Sequence, residues 1–499
     1  MLGVINALPF TFDILFFISW LTFAPFLILL VKQSEGETSN RDLFLYTFLF
    51  FFSFHFGIYH FFMALVPLSM VGLGVISSFV VLLFAWIFLS VIHSIVHTVA
   101  FYLILKLNIG RTFKLFALPL AFVLVQYVQS LGVYGFTWAR ISLPQSAFLP
   151  IIQSASILGP YFIDLLLLLV NALIAIAYLN GKRALWCSAA ITVFLSNLFF
   201  GIAYMQKGFE AVGEKDVCLV QGNVLMDEKW TGNSSYSVYM TETLSLENTD
   251  SLVVWPETAI PTDLNDSRKI LSELEAYTVS SGNEMIVGAF YCSNMGRELN
   301  GSYYVSEGKT SDTVYFKRRL VPFGEFLPFR SVLRLVPFLD GLNLFSSDLY
   351  PGHSTYVVDT EGGSVGNLIC FDSIFHHLAR ESVNDGAELL VIITNDSWYK
   401  DFPAVYQHNN QAKWRAVENG RYVVRAANSG ISSVISPHGE VLNSLPPLVK
   451  GTVLEKVYFI AEKTVYSRLG DIIIAPVVLF LLYCVLISFK KRFNQLNRK

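Results

Sequence analysis

Val365-Gly366-Asn367-Leu368-Ile369-Cys370-Phe371-Asp372-Ser373 is an apolar run that ends on a thiol. Its first five residues read as a short strand buried on both faces. From residue 374 to 384 the pattern turns helical, so Cys370 stands where a strand hands over to a helix. The dipole and free N–H groups of a helix start acidify a thiol and can receive an oxyanion. Cys370 is therefore a candidate nucleophile, with a structural cysteine as the plain alternative. Asp372 is either a cap for that helix or part of the chemistry.

Two upstream stretches have the same form. Val253-Val254-Trp255-Pro256-Glu257 is a strand stopped by proline, which presents a carboxylate at the strand's end. Desolvated in a cleft, Glu257 would have a raised pKa and could take a thiol proton. On an open surface it would do nothing. Tyr315-Phe316-Lys317-Arg318-Arg319-Leu320-Val321-Pro322-Phe323-Gly324-Glu325 carries Lys317, an ammonium suited to holding the oxyanion of a tetrahedral intermediate, or else a basic surface turn. Glu325 can hold that lysine or relay protons. A carboxylate, an amine and a thiol are the parts needed to move an acyl group through a thioester.

Strand-like runs at 217–220, 252–255, 285–290, 365–369, 389–394 and 422–426 alternate with helical patterns at 267–280, 374–384 and 407–419. That alternation predicts an α/β or layered α+β domain over residues 206–468. The rest of the chain belongs in lipid. Of 499 residues, 54% are hydrophobic, and the mean hydropathy of +0.52 is far above the soluble norm. Runs long enough to span a bilayer lie at 10–31, 43–66, 73–105, 115–135, 158–179, 185–205 and 472–489. Residues 1–205 thus read as a bundle of six helices, and 469–499 as a last helix with a basic tail.

Lys32 and Arg41, then Lys106, Arg111 and Lys114, then Lys182 and Arg183, and finally Lys490, Lys491, Arg492, Arg498 and Lys499 fall on alternate loops, which should be cytoplasmic. Counting from either side puts 206–471 outside the cytoplasm, and the N-terminus as well. Met1 to Phe10 lacks the basic start of a signal peptide. Asp164, a costly acid within a span, should face the bundle interior or headgroups. Phe323 to Phe345 is either an interfacial loop or a buried hairpin.

Net charge of −3 argues against a nucleic-acid partner. Five cysteines without zinc spacing argue against a metal. Cys187 and Cys484 read as buried hydrophobes of their spans, and Cys218 and Cys292 as strand core. His376 and His377 flank each other on a helix and so point about 100° apart, which makes a metal site with Asp372 a poor reading. The Asn-x-Ser/Thr triplets at Asn233, Asn265, Asn300 and Asn395 read as chance matches.

Each residue is weak alone, but the order is not. Glu257, Lys317 and Cys370, each in its own motif, resemble the triad of the nitrilase superfamily, and the flanking spans narrow the resemblance to the bacterial apolipoprotein N-acyltransferases. The likeness covers nearly the whole chain. It is carried by Val220-Gln221-Gly222-Asn223 with Trp230, Trp255 to Pro261, Leu320 to Pro328, Thr394-Asn395-Asp396-Ser397-Trp398, Gln407-His408, Arg421 to Gly430, Gly135-Phe136-Thr137-Trp138 and Asn171. The resemblance implies a multi-pass helical bundle carrying an extracytoplasmic αββα nitrilase-like sandwich in the bacterial plasma membrane.

It further implies Glu257 as general base, Lys317 as oxyanion stabiliser, Cys370 as nucleophile and Glu325 as a supporting carboxylate, with Trp230, Phe371 and Asp372 near the site. A phospholipid acyl donor, a diacylated apolipoprotein acceptor, a monomer and no cofactor follow from the same likeness. Three departures stand out. Phe371 and Asp372 replace the family's common tyrosine and glutamate, Thr137 replaces a proline, and seven spans are read where the family usually has eight, as though most of the first were missing. Two other readings stay open: a membrane-tethered amidase that gives its acyl group to water, and a silent lipid- or lipoprotein-binding protein.

Overall fold

The computed structural model describes residues 1–68, 72–229, 234–246, 250–328, 330 and 348–497. Trp230, Asn233, Arg498, Lys499 and most of the 323–345 loop lie outside the described residues. The chain forms two compact units: Met1–Met63, Val80–Lys207 and Leu469–Lys499 make one, and Ala64–Phe79 with Gly208–Arg468 make the other.

Among the described residues, seven helices are long and apolar enough to cross a membrane: Asp13–Glu35, Asn40–Leu65, Val75–Leu105, Arg111–Val128, Pro160–Asn180, Arg183–Tyr204 and Ile474–Leu496. Their inner faces pack through aromatic rings, as where Phe26 stacks on Phe50 with centroids 3.5 Å apart. Apolar side chains such as Ile76, Phe84 and Leu479 point outward, as lipid-facing residues do. Two of the polar side chains inside show how they are held. Asn171 accepts from the N–H groups of Phe23 and Ala24, at the start of helix Ala24–Glu35, and donates to Ser19 O. Asp164 is buried and accepts from Ser142 N at 2.9 Å, so it faces the interior rather than headgroups. Cys484 is buried, but Cys187 is exposed on its helix, contrary to expectation.

In the other unit the strands are β1 (Ala211–Gln221), β2 (Ser251–Val254), β3 (Ile260–Asp263), β4 (Glu284–Cys292), β5 (Glu298–Ser306), β6 (Lys309–Thr310), β7 (Tyr315–Phe316), β8 (Val357–Thr360), β9 (Gly363–Ile369), β10 (Leu389–Thr394), β11 (Tyr422–Ala427), β12 (Ser432–Ile435), β13 (Val441–Leu445) and β14 (Gly451–Ile460). One sheet runs β14-β1-β2-β4-β5-β6, with β3 beside β4 and β7 beside β5. The second runs β13-β12-β11-β10-β9-β8.

Period-two alternation decides what each face meets. Val217 and Leu219 of β1 join Leu252, Val365, Ile369, Val391 and Val424 in a core between the two sheets. Cys218 and Val220, pointing the other way, pack with Tyr239, Leu274 and Tyr277 of helices Ser234–Leu244 and Arg268–Ser281. Helices His376–Asn384 and Pro403–Asn419 pack against the second sheet. The layers are helix, sheet, sheet, helix. Cys218 is core as expected, while Cys292, at the far end of β4, is exposed.

Candidate active site

Three strand ends converge. β2 stops at Val254, where Trp255 N still donates to Ile286 O, and Pro256 then turns the chain so that Glu257 is buried rather than on a surface. β7 ends at Phe316 and delivers Lys317, whose main-chain N–H donates to Asn300 O at 2.9 Å. β9 ends at Ile369 and delivers Cys370 with φ of 49°, a left-handed conformation that a non-glycine residue adopts only when its surroundings hold it.

Lys317 Nζ donates to Glu257 Oε1 at 2.8 Å and to Glu325 Oε1 at 2.7 Å. Glu257 Oε1 also accepts from Asn300 Nδ2 at 2.8 Å, and its Oε2 from Asn395 N at 2.9 Å, so both carboxylate oxygens are fixed. Glu325 Oε2 accepts from Val321 N at 2.8 Å. Burial opposes the charge on Lys317, but Glu257 and Glu325 outweigh it and hold its pKa well above the usual lysine range. Burial raises the pKa of Glu325 even against that ammonium.

The Cys370 thiol corrects one expectation. Residues Cys370–Ile374 form a 3-10 turn, Phe375 is extended, and the α-helix begins only at His376, so no helix start lies at the sulfur. Burial first, and then the Glu257 charge, push the thiol's pKa well above its ordinary value, and Lys317 only partly opposes them. The group therefore rests as a protonated thiol. Iodoacetamide should therefore alkylate it more slowly at about pH 8 than an unhindered cysteine, with a rate still climbing towards about pH 10. A plateau below neutral pH would reveal a preformed thiolate and contradict this.

Asp372 proves to be a hub for backbone donors. Its Oδ1 accepts from Arg319 N at 2.7 Å and Arg318 N at 3.2 Å, and its Oδ2 from the Tyr315 hydroxyl at 2.8 Å and Ile369 N at 3.2 Å. It thus ties the Lys317 strand end to the Cys370 turn. Replacing Asp372 with alanine orphans four buried or part-buried donors and should lower stability by about 3 kcal/mol. The thermal midpoint of detergent-solubilised protein would register the loss, and an unchanged midpoint would rule the hub out. Phe371 is buried, its ring edge-on to Phe375 at 5.3 Å.

Beneath Cys370 lies a polar network whose members carry no assigned role in the sequence. His408 Nε2 is 3.2 Å from Cys370 O, and its Nδ1 is 2.8 Å from Asp396 Oδ1. Arg425 donates to Asp396 Oδ2 at 2.5 Å, and Arg425 and His408 hold that carboxylate far below its usual range despite burial. Ser373 Oγ also donates to Cys370 O, at 2.7 Å. Asn300, Asn395 and His408 sit in contact with Glu257 or Cys370, yet Asn300 and Asn395 drew notice only as sequons or motif landmarks. Among the described residues there is no group of histidine, cysteine and acidic side chains able to hold a metal.

Two family models match the chain. The carbon-nitrogen hydrolase family matches residues 217–458, and the apolipoprotein N-acyltransferase N-terminal domain matches residues 2–173. An apolipoprotein N-acyltransferase of Geobacter metallireducens is 30% identical over 490 residues, covering 94% of this chain and 90% of that one. The Methylococcus capsulatus protein of the same name is 31% identical, covering 72% and 71%. Saccharomyces cerevisiae Nit3, of the nitrilase superfamily, overlays on 50% of this chain and 91% of its own with a TM-score of 0.38 at 17% identity. On the two domain matches and a relative that spans almost its whole length, the chain belongs to the apolipoprotein N-acyltransferase family.

Proposed function

We propose that this acyltransferase moves an acyl chain from a membrane phospholipid, through a thioester on Cys370, to the N-terminal amine of a diacylglyceryl-cysteine on an apolipoprotein. The observation that carries the reading is the buried set in which Lys317 bridges Glu257 and Glu325 beside the Cys370 thiol. In the first half-reaction Glu257 takes the thiol proton and sulfur attacks the ester carbonyl. Lys317 holds the oxyanion, and collapse expels the lysophospholipid alkoxide, which recovers the proton from Glu257. In the second, the α-amine attacks the thioester carbonyl and gives its proton to Glu257, and the leaving thiolate takes that proton back.

No metal or nucleotide is needed for either step. Glu325 keeps the ammonium aimed, while Asp372 and Phe371 shape the turn at the nucleophile. Trp230, by its place in the family's motif, belongs near the same site. Residues 1–205 and 469–499 serve as the membrane part and 206–468 as the catalytic domain, a monomer placed on the outer side of a bacterial plasma membrane. The alternating basic loops support that orientation. Mass spectrometry of purified protein mixed with a phospholipid should find an acyl adduct on Cys370 that disappears when a diacylated lipopeptide is added. An adduct that water resolves equally well without the lipopeptide would show a hydrolase instead.

A further inference from the structure

The turn that carries Glu257 is gripped from two sides. On one side, β4 approaches through Gly288, where a β-carbon would stand 2.3 Å from Pro256 O and 2.8 Å from Glu257 Cα. On the other, Lys229 at the end of helix Met226–Lys229 donates to Glu257 O at 3.1 Å and to Thr258 Oγ1 at 2.5 Å. Between the grips Thr258 has φ of 47°, a left-handed conformation that a β-branched residue adopts only when its neighbours enforce it.

Lys229 is an unusual anchor. Its side chain is 0% exposed, and among the described residues its hydrogen-bond acceptors are the neutral oxygens of Glu257 and Thr258. A buried ammonium in such company is costly, because no bonded carboxylate offsets its desolvation. Burial accordingly pushes its pKa down to about 8, while the nearby Glu257 and Cys370 pull the other way. A methionine would fill the same space without that cost. What the ammonium adds is a pair of directed bonds to the backbone and side chain of the turn that aims the base.

We propose that Lys229 is a positioning residue for acyl transfer, holding the Glu257–Thr258 turn so that the Glu257 carboxylate faces the Cys370 thiol. The role rests on the function proposed above. Lys229 touches neither lipid nor sulfur in this role; it acts through Glu257, whose Oε1 and Oε2 are set by Asn300, Lys317 and Asn395 on one side while the main chain is set by Lys229 on the other.

The test follows thioester formation on Cys370 in a single turnover, with dipalmitoyl phosphatidylethanolamine in detergent as donor, in wild type, Lys229→Met, Lys229→Arg and Thr258→Val. Misaiming by a fraction of an ångström should slow Lys229→Met about 100-fold while half-saturation by lipid changes less than about twofold. Lys229→Arg, which keeps a charged donor, should recover at least about a tenth of the wild-type rate. Thr258→Val removes one of the two acceptors without touching the lysine, and should slow the step about tenfold.

Alkylation of Cys370 by iodoacetamide at about pH 7, read in the same four proteins, reports the base without any lipid and should fall in the same order. Wild-type alkylation and acylation rates in both Lys229→Met and Thr258→Val would overturn the proposal. So would equal losses in Lys229→Met and Lys229→Arg, since those would mark a role in packing alone. A wild-type protein that alkylates normally but never forms a thioester would count against the acyl-transfer reading, and the alkylation series would still decide the role of Lys229.

Discussion

Cys370→Ala is expected to abolish acyl transfer, with at least a ~10⁴-fold loss in turnover, because in the proposed mechanism both half-reactions pass through a bond to that sulfur. The assay is transfer of a labelled acyl chain from phospholipid to a diacylated lipopeptide. The fold should survive, since the turn is held from outside the side chain: Ser373 and His408 both bond the Cys370 carbonyl, and Asp372 ties the turn to Ile369 and the Lys317 segment. Cys370→Ser should be nearly as inactive. A hydroxyl in the same place is far harder to ionise than a thiol. Transfer at wild-type rate in either variant would remove Cys370 from the reaction and return it to a structural cysteine.

Lys317→Met should damage both the fold and the chemistry, and the two losses can be separated. The Lys317 side chain is 1% exposed and those of Glu257 and Glu325 are 6% and 15%, so solvent screens the trio little. Removing the cation leaves two carboxylates in one buried place, a change that costs about 3–5 kcal/mol. In addition, losing the oxyanion donor of the proposed mechanism should take about 10²–10³ from turnover. Lys317→Arg keeps the charge but cannot reproduce the geometry of a single ammonium between two carboxylates, so it should recover more stability than activity.

The pH dependence gives an independent check. The folded pKa of Lys317 lies above its ordinary value of 10.5. Its contribution is therefore fully present below that value and is lost as pH rises through the folded pKa. Wild type should lose stability in strongly alkaline solution, where Lys317→Met should be flatter. Identical alkaline unfolding curves would mean that the ammonium is not held as the geometry implies.

How far the chain could be read beforehand depended on where each strand sits. β2, β4, β9, β10 and β11 appear as continuous apolar runs because they lie inside their sheets, each with at least one parallel neighbour and with both faces covered. β5, with the polar sequence Glu298-Leu299-Asn300-Gly301-Ser302, and β13, mostly exposed, carry no such run and give no strand signal. β14 alternates buried and exposed positions along an antiparallel pairing and was passed over for the same reason.

At the site the same division holds. Glu257, Lys317 and Cys370 stand at strand ends beside proline or an abrupt change of pattern, and local sequence marks such points. Asn300 lies inside a strand, Asn395 contributes a main-chain N–H that any residue would have, and Lys229 is buried only by the folding of segments far apart in the chain. Those are tertiary facts. The acidification expected for Cys370 failed for a related reason: a helical pattern was legible, but not that a 3-10 turn and one extended residue intervene before it starts.

The pairing of β1 with β14 bears on how such a protein can be assembled at all. Ala211 lies opposite Ile460 and Gln221 opposite Gly451, so the first and last strands of the sandwich are zipped side by side and the chain enters and leaves it at neighbouring points. A unit closed in this way can be inserted into a loop of another protein without being stretched between its ends. Joining the two ends by a short linker and opening the chain elsewhere would preserve every sheet contact. The sandwich is in that sense a cassette, with its two ends side by side.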